Sequence, residues 1–181
     1  MSEIITKLAQ EFRTRLILAH PGIVKRLRPG LPRKEATALA ARYGVTLTEE
    51  ALAFFSVLDG FDNPYRMPQG EVQVFPPRWL DSLESALKHY KEFWVEPDML
   101  LYSEFHEEGG GAMPPLRIIG EDSSYFYALE LEAEGRPIWD MQREMGLSIA
   151  FPSLEVMLKM LNAWLENKVL IYEYDGWTFT R

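Results

Sequence analysis

The chain has no cysteine and only three histidines, His20, His89 and His106. It also has no apolar run near the roughly 18 to 20 residues that a membrane-spanning helix needs. The first absence excludes disulfides, thiolate nucleophiles and cysteine-ligated zinc. The second leaves a multi-histidine metal centre short of ligands, so metal chemistry would have to rest on carboxylates. The start of the chain lacks the basic-then-apolar pattern of a signal peptide, and the expected compartment is the cytoplasm, with no membrane partner. With 181 residues, 47% of them hydrophobic, one domain with a sizeable core is expected.

Charge is present in quantity but unevenly placed. Residues 1 to 45 hold nine Lys or Arg against Glu3, Glu11 and Glu35, a balance of +6, whereas residues 46 to 181 hold 10 against 24, a balance of −14. The acidic body repels nucleic acid and draws cationic partners, speeding their encounter more than fixing their affinity.

Periodicity places the elements. Ile5, Leu8, Phe12, Leu16 and Ala19 share a helical face, and the helix is expected to end near His20-Pro21-Gly22. PGIVKRLRPGLPR, with three prolines and four basic residues, reads as an exposed connection. Ala36, Leu39, Ala40 and Tyr43 line a second helix stopped by Gly44; a third begins at Thr48 as cap, with Glu49 and Glu50 in its first turn, and carries Ala51, Phe54, Phe55 and Leu58 up to Gly60. EVQVF suggests a strand with Val72 and Val74, and PPRWLDSLESALKHYKEFW a fourth helix burying Leu83, Leu87, Tyr90 and Trp94. In LRIIGEDSSYFYALELEAEGRPIWDM, Tyr125, Tyr127, Leu129 and Leu131 face one way and Phe126 and Ala128 the other, which predicts a central strand covered on both faces. Glu132 to Arg136 then turn a hairpin into Ile138-Trp139. A last helix from Pro152-Ser153 buries Leu154, Met157, Leu158, Leu161 and Leu165, and VLIYEYDGWTFTR reads as two strands around Asp175-Gly176.

That order, carried by YGVTLTEEALAFFSVLDGF, PLRIIGEDSSYFYALELEAEGRPIWDM and FPSLEVMLKML, resembles the SUKH superfamily over roughly residues 33 to 165. The expected fold is therefore α+β: a SUKH-like single domain with a mixed, mostly antiparallel sheet flanked by helices, an extra N-terminal helix and a C-terminal hairpin. The expected segments are residues 1–32 (N-terminal helix and basic linker), 33–167 (the domain) and 168–181 (hairpin extension). Trp139 and Leu158 are expected to fill the space between sheet and last helix. The resemblance implies a bacterial, non-enzymatic protein-binding module. Its function would be that of an immunity protein neutralising a basic toxin domain such as a nuclease, with a housekeeping regulatory or scaffold protein of the same fold as the alternative.

One stretch invites a catalytic reading. EFHEEGGGAM, residues 104 to 113, is no zinc motif of the His-Glu-x-x-His kind, because position 110 is glycine, and no phosphate loop, because it lacks Gly-Lys-Ser/Thr and its neighbours are anionic. It reads as a mobile acidic loop. Ser123 and Ser124 lack a nucleophile elbow, and a carboxylate-based, Mg²⁺-dependent hydrolase is the remaining enzymatic reading. No catalytic residue, metal site or cofactor is expected. The expected contacts with a basic protein partner are Asp59, Asp62, Glu104, Glu107, Glu108, Glu121 and Asp122. Direct nucleic-acid binding is not expected, since the aromatic segment carries no interleaved Lys or Arg.

Overall fold

The computed structural model describes residues 2–62, 79–91, 105, 107–111, 115–120, 125–142, 146–173 and 176–180. The expected strand at EVQVF and the expected burial of Trp94 lie outside the described residues.

Helix α1, Ser2–Ala19, buries Ile5, Ala9, Phe12 and Leu16 as one stripe. It is no appendage. Its residues belong to the main core together with Phe54, Phe55, Leu158 and Leu161, and Asn162 Nδ2 donates to the carbonyl of Leu8 at 3.0 Å across the helix pair. The segment read as an exposed linker is also built in. It opens as a 3₁₀ turn, Pro21–Lys25, then buries Ile23 and Leu27 and pairs Leu27 with Phe61. Arg28 N–H reaches Gly60 O and Leu31 N–H reaches Phe55 O, each at 2.9 Å. Gly30 lies so close to the Ser56 carbonyl that a Cβ there would overlap it. Apolar residues interleaved with the basic ones hold the segment down, and residue 32 therefore marks no boundary in the core.

Helix α2 is Arg33–Ala41 and helix α3 is Glu49–Phe55. Thr48 caps α3 as its composition predicts, its Oγ1 accepting from Ala51 N–H at 3.2 Å. Gly60 does not end this helix, which stops at Phe55. Instead Gly60, at φ +70°, lets the chain pass directly against the backbone of Asp81 and Ser82, where any Cβ would clash.

Strand β1 is Trp79–Leu80, followed by α4, Leu83–Tyr90, capped by Ser82. The helix expected from PPRWLDSLESALKHYKEFW does not include Trp79. Ser82 as N-cap sets the true start, leaving Trp79 and Leu80 to pair with Gly120 and Ile119. Strands β2 (Leu116–Gly120), β3 (Tyr125–Leu129), β4 (Ile138–Gln142) and β5 (Gly146–Phe151) follow, and the five strands stand in the order β1-β2-β3-β4-β5, all antiparallel. The apolar-both-faces strand β3 is central, as its pattern requires. Helix α5, Leu154–Glu166, buries the five residues expected of it. Strands β6 (Leu170–Glu173) and β7 (Gly176–Phe179) form a separate hairpin. It is tied to the end of α1, where the His20 and Tyr172 rings stack at 3.7 Å.

The sheet divides the apolar residues into two clusters. All five α-helices of the described chain contribute to the first, with Leu116, Ile119, Leu129 and Ile138 from the sheet. The second holds Phe105, Phe126, Ala128, Trp139 and Met141. Trp139 therefore does not meet the last helix. It pairs with Ala128 across the ladder and shares that residue's face, while Leu158 lies in the first cluster on the other side.

Candidate functional site

The turn at 105–111 is built from its anchor outward. Phe105 is fully buried and meets Trp139 edge to face, with ring centroids 5.2 Å apart. Gly110 N–H donates to Phe105 O at 2.8 Å while Gly109 takes φ +88°, the six-to-one closure that ends a helical turn. Two further glycines are explained by contact. A Cβ at Gly110 would run into the Phe105 ring, and one at Gly111 would meet the Glu132 carboxylate and lie 3.1 Å from Glu130 Oε2. The glycines thus fold the turn flat against the sheet and the β3–β4 hairpin. Glu107 and Glu108 are left exposed on it.

Beside the turn, Glu130 is fully buried, and its carboxylate accepts from Trp139 Nε1 and from Arg136 Nε, each at 2.7 Å. Two charge-assisted bonds of this kind satisfy an otherwise costly buried carboxylate. Further along the hairpin, Gly135 N–H donates to Glu50 Oε1 at 3.1 Å. Burial pushes the Glu50 carboxyl above its ordinary range; the Gly135 bond opposes the shift, and the charges of Glu134 and Glu155 add to it. One end of the sheet therefore gathers Glu107, Glu108, Glu130, Glu132 and Glu134, with Arg136 turned inward onto Glu130.

The remaining expected contacts are placed elsewhere. Asp59 is only 2% exposed, accepting from Leu83 N–H at 2.8 Å and Arg28 Nε at 2.9 Å, so it holds the linker to α4 and is not offered to a partner. Its sequence neighbourhood, an Asp-Gly after a helix, looks like surface, and only the close approach at Gly60 buries it. Burial raises its carboxyl, against the pull of Leu83 N–H and Arg28. Asp62 is exposed and lies 3.4 Å from Arg28 Nη1. Glu104, Glu121 and Asp122 lie outside the described residues.

Sequence reasoning missed the most buried ion pair. Arg117 Nε lies 2.6 Å from Asp81 Oδ2, with side-chain exposures of 3% and 0%. Ser85 Oγ donates to the other oxygen at 3.2 Å, and the guanidinium sits 5.8 Å from the Phe126 ring centroid. Burial pushes Asp81 up, and Arg117 and Ser85 pull it back. His89 is lowered to about 4, by burial first and by the Arg117 charge second. Thirty-six residues separate the paired groups, and every residue of β2 is buried, neither of which a linear pattern reveals.

Part of the basic excess of the first 45 residues is met by acids from later in the chain. Arg15 pairs with Glu166, Arg28 with Asp59 and Asp62, and Arg33 with Glu49. Among the described residues no three His, Asp or Glu side chains converge to hold a metal ion, and no helix is long and apolar enough to cross a membrane. Compared with protein-family models and with curated proteins, the chain finds no match in either.

Proposed function

We propose that this protein is a non-enzymatic protein-binding module of the SUKH kind, an immunity-type protein that neutralises a basic toxin domain by occluding it. The observation that carries the reading is the exposed Glu107-Glu108 pair on a turn fixed by Phe105 and by glycine contacts, next to an acidic hairpin. A rigid anionic platform of this kind stands in for the phosphates of a nuclease substrate without the entropy cost of ordering a loose loop. On this reading the platform works by attraction and steric cover. Glu130 and Arg136 act as positioning residues for the platform.

Capture from the native organism, in low salt and at about 0.5 M salt, tests the reading, since charge attraction is largely screened at the higher strength. A basic, nuclease-like protein recovered at low salt and weakened at high salt supports it. Charge reversal, Glu107→Lys with Glu108→Lys, then slows association by roughly tenfold at low salt and has little effect at high salt. An unchanged low-salt rate overturns the assignment of this turn, and recovery of a housekeeping protein alone favours a regulatory module of the same fold.

A further inference from the structure

A groove of about 350 Å³ lies between the last turn of α1, the end of α5 and strand β6, on a part of the molecule that the proposed partner reading does not use. Its apolar lining includes Leu18, Leu165, Ile171 and Tyr172, and its charged lining is Arg15, Glu166 and Lys168. Leu18 is 75% exposed, an unusual state for a leucine beside so much buried aliphatic surface. The charges are unequal in number. Arg15 Nη2 and Glu166 Oε2 lie 3.3 Å apart and cancel, whereas Lys168 has no carboxylate within ion-pair distance among the described residues.

The backbone of Lys168 supplies the independent observation. It is the one non-glycine residue with positive φ among the described residues, at 55°. Helix α5 ends there in a Schellman closure, with Val169 N–H on Trp164 O at 2.8 Å and Lys168 N–H on Leu165 O at 3.3 Å, while Thr180 Oγ1 donates to Lys168 O at 3.0 Å. This position in the closure is the one that glycine fills without strain. A lysine whose backbone is held in the left-handed region, its N–H on Leu165 O and its carbonyl accepting from Thr180 Oγ1, sets the root of one cation at the rim of an apolar groove. Strain retained in this way is characteristic of ligand clamps.

We infer that the groove binds a free medium-chain alkyl carboxylate. The chain lies along Leu18, Leu165, Ile171 and Tyr172, and the carboxylate meets the Lys168 ammonium. The volume suits a small ligand, standing at the low end of the roughly 300 to 1,000 Å³ typical of such sites. A single uncompensated cation selects a monoanion over a neutral alcohol of the same length.

Octanoate is the probe, titrated into the full chain and followed by backbone amide shifts and calorimetry, with octanol as the neutral control. The expected result is saturable one-to-one binding of octanoate, with shifts confined to residues around Leu18, Leu165 and Ile171, and octanol weaker by roughly five- to tenfold. Lys168→Gly is expected to raise the melting temperature, by relieving the positive φ, and at the same time to lower octanoate affinity to that of octanol. Lys168→Gln keeps the backbone strain and loses the charge, so it should weaken octanoate binding without gaining stability. Equal binding of octanoate and octanol overturns the inference, as does undiminished octanoate binding by either Lys168 variant, or the absence of saturable binding at millimolar octanoate.

Discussion

Replacing Arg117 by methionine strips Asp81 of its counter-ion in a place water barely reaches. The two side chains are 3% and 0% exposed and 2.6 Å apart, with Ser85 the other hydrogen-bonding partner of Asp81. Breaking a buried pair from one side strands the remaining charge and costs about 3–5 kcal/mol, a large share of the roughly 5–15 kcal/mol that holds a domain together. With a urea slope near 2 kcal/mol per M, the unfolding midpoint falls by roughly 2 M. The double variant Arg117→Met/Asp81→Leu removes both charges and recovers most of the loss, so the cycle reports a coupling of at least about 2 kcal/mol. A pH series adds a check of sign. Burial already raises the Asp81 carboxyl, and losing Arg117 raises it further. The folded state then takes up a proton more readily than the unfolded one, so its stability is greatest at low pH and is lost as pH rises through the shifted value. The Arg117→Met deficit should accordingly shrink as the pH is lowered. His89, freed of the Arg117 charge, should titrate above its present value of about 4 in the same variant. Single-variant losses below about 1 kcal/mol, or a deficit independent of pH, would refute the account of this pair as a buried and mutually dependent one.

Glu50→Gln keeps an acceptor for Gly135 N–H while removing a charge that burial and the neighbouring Glu134 and Glu155 oppose. Because the folded-state value is raised, wild-type stability declines as pH rises through it, so the variant's advantage in thermal melts should appear near neutral pH and vanish below the ordinary carboxyl range. Phe12→Ala should cost about 3–5 kcal/mol in urea unfolding, since the ring is fully buried; a loss under about 0.5 kcal/mol would mean that α1 is not part of the core. Gly110→Ala should push the Phe105 ring off its place at about 1–3 kcal/mol and perturb the Trp139 fluorescence environment, whereas the exposed reversals at Glu107 and Glu108 should leave stability within about 0.5 kcal/mol.

Elements with a long, regular period were legible: α1, α5 and the doubly apolar β3 follow from spacing alone, and the cap at Thr48 from residue type. The elements that escaped are short or lack a period. Trp79–Leu80 is two residues long, and in β5 the stretch GLSIAF carries no charge and little polar alternation. The site was legible where it rests on local chemistry, in the glycines and exposed glutamates of the turn. It was not legible where a distant segment decides the outcome. Asp59 is buried by a close backbone approach, Trp139 faces away from α5 because of its ladder partner, and Glu130 is hidden by the hairpin it belongs to. The same reason hid the fate of the basic linker, whose Arg28 and Arg33 meet Asp59, Asp62 and Glu49 further along the chain.

The hydrogen bond from Asn162 to the Leu8 carbonyl joins positions 154 residues apart, between helices that share one core. On the ribosome, where elongation runs at about 5–20 residues per second, the α5 side of α1 therefore stays open for roughly 8 to 30 seconds after Leu8 is added. Throughout that interval Ile5, Phe12 and Leu16 have no lasting cover from α5. Its cover is therefore completed in two steps, by α3 soon after it in the chain and by α5 only after most of the described sheet has been made.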